Sequence, residues 1–246
     1  AGSVLMSACG GNASNTESSA SPLASSSSAS STSSSSSETS SSASPSASPS
    51  RRNSFQRGFD VELNNADMEY TGEGYMYSTR EKPGYGWSHP KRPQEMSENS
   101  ELGLYYSWAY ASAGISYAMK TGDDTYIKQS GMTEGDQKLF KSIALLEETR
   151  EGKYWEESGN FVYRLESDRP EKKGEEYSWP YQLQMFHGDF YVRNGEVHEI
   201  PENTDGWGQT VYSTGTLKAR YLDGAWQMEG FFEGIATDVV GKPFDK

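Results

Sequence analysis

The sequence is poor in the residues that form cross-links and metal sites. Cysteine occurs once among 246 residues, at Cys9, so an intrachain disulfide is impossible. Histidine occurs three times. The sequence has no His-x-x-x-His, Cys-x-x-Cys or EF-hand pattern, no Gly-x-Ser-x-Gly motif and no phosphate-binding glycine loop. We therefore expect neither a metal ion nor any other cofactor.

Basic residues are scarce relative to acidic ones. Lysine and arginine total 22, against 35 aspartate and glutamate residues, and the formal net charge is -13. A chain of this charge repels phosphate backbones, and no basic cluster offsets the repulsion locally. The composition therefore argues against nucleic-acid binding.

Large apolar side chains are nearly absent between residues 11 and 50, where serine, alanine, proline and threonine dominate and Leu23 is the exception. Such a stretch buries too little apolar surface to offset the conformational entropy lost on ordering. We interpret residues 9–54 as a disordered serine-rich stalk. Residues 1–8, which precede the single cysteine, are interpreted as the remnant of a signal peptide.

The residues around Cys9 indicate lipid attachment. The stretch Val4-Leu5-Met6-Ser7-Ala8-Cys9 resembles the lipobox of bacterial lipoproteins, in which apolar and then small residues precede a cysteine that receives a diacylglycerol. Two or more acyl chains hold a protein stably on a bilayer, whereas one chain is marginal. We predict that Cys9 is lipidated and that this anchor holds the protein on the extracellular face of the cell membrane.

Residues 55–94 have a different composition, and they are interpreted as an extended arm. Glycine, proline and aromatic residues follow one another there without a helical or strand period. The aromatic residues either pack against the adjacent domain or bind carbohydrate, and both interpretations stay open. They are Tyr70, Tyr75, Tyr77, Tyr85 and Trp87.

Residues 95–246 are predicted to form a globular α+β domain, with N-terminal helices packed on a curved antiparallel sheet. Helical spacing of apolar residues predicts helices over about 99–120, 123–130 and 133–150, and Thr133 and Asp136 resemble a capping box. Alternation predicts strands over 160–167, 208–222 and 225–232, and a longer run over 176–192 with Gly188-Asp189 inside it as a bulge or tight turn. The strands over 208–222 and 225–232 are joined at Asp223-Gly224, a strong hairpin signal.

Several short motifs resemble a family of actinobacterial lipoproteins of unknown function. They lie within about residues 83–232 and include a lead-in His89-Pro90-Lys91-Arg92-Pro93 and a closing Asp223-Gly224-Ala225-Trp226. The helix-then-sheet order is also similar to the cone-shaped fold of nuclear transport factor 2, which informs the fold and not the function. The resemblance gives these candidate motif or pocket residues: Tyr106, Trp108, Tyr117, Thr121, Gly122 and Asp123.

His187 and Asp189 are the nearest approach to an acid–base pair, although a turn at Gly188-Asp189 explains the same residues equally well. Neighbouring residues of a strand face opposite sides. We expect the larger Phe186 to lie inside and His187 to face solvent or a helix end. His187→Ala should then change stability by less than about 1 kcal/mol.

The leading hypothesis is a membrane-anchored surface lipoprotein with a non-enzymatic binding or accessory domain. Its partner would be an unknown protein, glycan or small molecule. One alternative is an enzyme that uses His187 and Asp189 as acid and base in a pocket. Another is a structural component of an envelope complex, which docks through the aromatic arm.

Overall fold

The computed structural model describes residues 54–72, 74–202 and 210–235. The predictions for Cys9, for the signal peptide and for nearly all of the stalk lie outside these residues. Within them the fold is α+β, as predicted: helices come first, and a curled antiparallel sheet follows.

Helix α1 is bounded by the caps that its sequence predicts. The Ser100 hydroxyl accepts a hydrogen bond from the Gly103 amide at 3.0 Å, and Gly122 ends the helix in the left-handed conformation. None of the helices in the described ranges has the length and apolar character needed to span a bilayer. The α-helices of the described ranges are α1 (Glu101–Thr121), α2 (Thr125–Lys128), α3 (Glu134–Ile143) and α4 (Leu146–Arg150), and two short 3-10 helices lie at Asn65–Asp67 and Gln94–Ser97.

The predicted third helix is wrong in part, because it breaks at Ala144 and Leu145 into α3 and α4. The break lets α4 turn back against the end of α1. The expected capping box is also wrong: the Thr133 side chain makes no capping bond, and the Asp136 carboxylate accepts from the Gly230 amide at 2.8 Å. A long-range contact thus replaces the local one.

The strands form one large sheet, one small sheet and a two-residue ribbon. The large sheet has the order β10-β9-β6-β4, with β5 also paired to β6; the small sheet is β3-β7-β8, and β1 pairs with β2. The strands are β1 (Met68–Glu69), β2 (His89–Pro90), β3 (Tyr154–Glu156), β4 (Asn160–Leu165), β5 (Glu171–Lys173), β6 (Glu176–Phe186), β7 (Phe190–Arg193), β8 (Glu196–Glu199), β9 (Thr210–Leu222) and β10 (Ala225–Glu229).

Two strand predictions include a turn. The hairpin between β9 and β10 is confirmed, with Asp223 at φ 52° and Gly224 at φ 81°, the positive angles that its turn type requires. The run over 176–192 divides at the predicted bulge or tight turn at Gly188-Asp189: β6 ends at Phe186 and β7 begins at Phe190. The two strands belong to different sheets, which the alternation did not predict.

Aromatic side chains fill the space between α1 and the large sheet. The Trp108 ring lies 5.6 Å from Tyr163, 6.0 Å from Trp179 and 5.6 Å from Tyr181, measured between ring centroids. All four side chains are fully buried. Trp108 is therefore part of the packed core, and this part of the domain interior has no room for a ligand.

Candidate functional site

Four of the residues given by the family resemblance join the end of α1 to α2, and they form the pattern Tyr-x-x-x-Thr-Gly-Asp over 117–123. The Thr121 hydroxyl donates to the Tyr117 carbonyl at 2.8 Å and accepts from the Asp123 amide at 3.1 Å. The Asp123 carboxylate accepts from the Thr125 amide at 3.0 Å. With Gly122 as the left-handed residue between them, these contacts are those of a helix end followed by a new helix start.

Tyr106 and Tyr117 occupy different surroundings. Tyr106 is fully buried, and its hydroxyl accepts from the Asn64 side-chain amide at 2.9 Å, which ties the arm to α1. Tyr117 is half-buried and packs edge-to-face on Tyr126, with ring centroids 5.3 Å apart. The motif residues therefore do not converge on one pocket lining.

The prediction that His187 faces solvent is wrong. His187 is buried and Phe186 is only partly buried, because the strand ends at Phe186 and Gly188, at φ 86°, redirects the chain. The His187 Nδ1 atom lies 3.0 Å from Glu156 Oε2. Asp189 is exposed, and its backbone amide donates to the Glu157 carboxylate at 2.6 Å. The carboxylate in contact with His187 is thus Glu156 rather than Asp189.

A third side chain completes this buried network. The Tyr154 hydroxyl donates to Glu156 Oε1, so that one carboxylate connects a tyrosine with a histidine. Burial, and after it the charge of Glu156, raises the pKa of Tyr154 well above its ordinary value, which keeps the hydroxyl a donor. Because the His187 and Glu156 side chains are only 6% and 5% exposed, the arrangement suits a buried link between β3 and the end of β6.

A groove lies elsewhere, between the arm, α1 and β4. Its volume is about 400 Å³, and its α1 wall carries only small residues: Ala109, Ser112, Ala113 and Ser116. Phe186 contributes to the lining, but His187 and Asp189 do not. The groove therefore does not bring the predicted acid–base pair to a substrate.

The arm carries the most exposed aromatic surface of the described residues. Met76 and Tyr85 pair across a small hairpin through backbone hydrogen bonds of 3.1 and 3.0 Å. On this segment the side chains of Tyr70, Tyr75 and Tyr77 are 70%, 45% and 68% exposed. We call these three residues the tyrosine cluster. The rings of Tyr75 and Tyr77 contact each other with centroids 4.7 Å apart. Burial raises the pKa of Tyr75, and its neighbours Tyr77 and Tyr70 raise it further.

Trp87 supports the tyrosine cluster from below. Its ring lies 5.1 Å from Tyr75 and 6.4 Å from Tyr77, edge-to-face in both cases, and Tyr75 and Tyr77 are themselves 4.7 Å apart. Trp87 is only 9% exposed. Edge-to-face packing of this kind fixes ring orientation, so the exposed faces of the tyrosines are held in place.

Lys120, near the end of α1, fixes Trp87 to the domain. Its ammonium lies 4.7 Å from the centre of the Trp87 ring and donates to the Asn160 side-chain carbonyl. Desolvation by burial lowers the pKa of Lys120 to about 8. The contact connects the arm to both α1 and β4, and therefore gives the tyrosine cluster a rigid support.

The structure separates the aromatic residues of the arm into packed and exposed ones, and carbohydrate binding by the exposed ones stays a prediction. Trp87 packs on the domain, while Tyr70, Tyr75 and Tyr77 stay exposed. Sequence reasoning did not identify Lys120, Glu156 or Tyr154. No local signal marks Lys120 or Glu156, since their partners Trp87 and His187 lie far away in the chain, and Tyr154 joins this network through Glu156 on its own strand.

A family model described as a family of unknown function, DUF6318, matches residues 73–231. This range contains Tyr75, Tyr77, Trp87, helices α1 to α4 and strands β2 to β10. No curated protein and no solved structure matches the chain. The resemblances to actinobacterial lipoproteins and to the cone-shaped fold stay predictions.

Proposed function

Since the chain belongs to DUF6318, a family of unknown function, we propose its function from its own residues: it is a lipid-anchored protein of the bacterial cell surface that binds an extracellular ligand through the tyrosine cluster. The observation that carries the proposal is the exposure of Tyr70, Tyr75 and Tyr77 on the arm, with Tyr75 and Tyr77 packed on the buried Trp87. A contiguous exposed aromatic patch on a soluble domain marks an interaction site more often than an accident of folding.

Tyrosine suits this role because it offers a large amphipathic surface and few rotatable bonds. Little conformational entropy is lost when such a ring is immobilised by a ligand. Here Tyr75 and Tyr77 are already held by Trp87, which Lys120 fixes in turn. Catalysis at His187 is not part of the proposal, because its side chain and that of Glu156 are nearly inaccessible to solvent.

The binding half of the proposal predicts a site-specific adduct on intact cells. A photoreactive benzoylphenylalanine placed at Tyr77 of the full precursor should cross-link to a surface component. The control position is Tyr212 on β9, which is 60% exposed but lies outside the tyrosine cluster. Equal adduct yields at the two positions would contradict binding at the cluster.

The anchoring half predicts release from the membrane. The lipobox-like residues before Cys9 supply the motivation, and Cys9→Ala in the precursor should move the protein from the membrane fraction into the medium or block its processing. Fractionation followed by immunoblotting measures this. Unchanged processing together with unchanged membrane retention would overturn the lipid anchor.

A further inference from the structure

We propose that the ligand of the tyrosine cluster is an uncharged glycan, an inference that rests on the proposed function. Sugar rings present apolar C–H faces and polar edges. The cluster offers both kinds of surface, since Tyr75 and Tyr77 stand at 83° to each other and are 45% and 68% exposed. A sugar can therefore stack on one ring and reach a hydroxyl of the other.

Trp87 adds an unsatisfied donor under the same rings. Its side chain is 9% exposed, and among the described residues the indole N–H has no hydrogen-bond acceptor. A buried donor without an acceptor is unusual in a folded protein and is often explained by a functional role. A shift of the tyrosine rings packed on Trp87 would let a sugar oxygen supply the acceptor.

The charge distribution favours an uncharged glycan over an acidic one. The chain carries a formal net charge of -13. Two cations of this region are already engaged: Arg80 contacts the Glu199 carboxylate at 2.8 and 3.1 Å, and Lys120 lies under Trp87. An acidic polysaccharide would approach against the overall charge without the help of these two cations.

The test is titration of the purified full chain in detergent with a panel of glycans. The neutral members are oligomers of glucose, mannose and N-acetylglucosamine, and the acidic member is an oligomer of galacturonic acid. We expect at least one neutral oligomer to bind at least about tenfold more tightly than the acidic one. Binding of the acidic oligomer alone, or of no neutral oligomer, would overturn the inference.

Variants assign the binding to the cluster. Tyr77→Ala should weaken binding of the neutral oligomer by about tenfold or more, whereas Tyr77→Phe, which keeps the ring, should weaken it by only about threefold. Tyr212→Ala is the matched control and should have little effect, and circular dichroism checks that each variant is folded. Equal effects of Tyr77→Ala and Tyr212→Ala would also overturn the inference.

Failure of the glycan inference can be distinguished from failure of the proposed function, because the two are tested by different measurements. If the neutral panel fails but the photoreactive residue at Tyr77 captures a protease-sensitive partner, the glycan inference falls while binding at the tyrosine cluster stands. If the panel fails and no specific adduct forms, both proposals fall.

Discussion

Replacing His187 with alanine is expected to lower the free energy of unfolding by about 3–5 kcal/mol, because the Glu156 carboxylate then stays buried without its partner. The two side chains are 6% and 5% exposed and lie 3.0 Å apart. Only the Tyr154 hydroxyl would remain among the side-chain contacts that we describe for that carboxylate. Urea unfolding of the full chain, followed by circular dichroism, measures the loss.

His198→Ala is the matched control for this prediction. His198 is about one-third exposed and stacks on Tyr191, so its removal should cost about 1 kcal/mol or less. The double variant His187→Ala/Glu156→Gln should lose less than the sum of its single variants, since both act on one contact. If His187→Ala costs no more than His198→Ala, the buried pair does not stabilise the fold.

Gly122→Ala is expected to cost about 3 kcal/mol or more, because the position combines backbone strain with a steric clash. Gly122 has φ 75°, and an added Cβ would lie 2.4 Å from the Leu146 carbonyl oxygen and 2.7 Å from the Arg150 amide nitrogen. The Arg150 guanidinium also donates to the Gly122 carbonyl at 2.6 Å, so α4 cannot move away without loss of that bond.

Gly152→Ala is the matched control that separates the cost of backbone strain from the cost of the steric clash. Gly152 has a similar φ of 68°, but an added Cβ there would meet nothing within 4 Å, so only the left-handed penalty of about 1 kcal/mol applies. The difference between the midpoints of thermal unfolding of the two variants measures the packing of α4 on the end of α1. Equal losses would contradict a steric role for Gly122 and reopen a ligand role for the motif.

The predictable parts of the fold are those that depend on residues close in sequence. Ser100 and Gly122 mark the ends of α1, and Asp223-Gly224 marks a hairpin, because capping and turn formation need only a few neighbouring residues. The burial of His187 could not be predicted from residues close to it in sequence. Alternation holds only while a strand continues, and here the chain passes from one sheet to another at Gly188.

The candidate site shows the same limit. The arm was recognisable from its aromatic composition, but which rings are buried depends on Lys120, which is 33 positions from Trp87 in the printed sequence. The partner of His187 is likewise distant, since Glu156 lies 31 positions away. The short motifs still located the family region well: they span about 83–232, and the family model matches 73–231.

Lys120 packs against the Trp87 ring. Chemical labelling of this lysine can therefore report how often the arm separates locally from the domain. With a pKa of about 8, roughly a tenth of the amine is unprotonated at pH 7, the form that reacts with acylating reagents. The contact with the indole and the hydrogen bond to Asn160 restrict access to this amine. A ligand that holds the tyrosine cluster in place is therefore expected to lower the rate at which Lys120 is acylated.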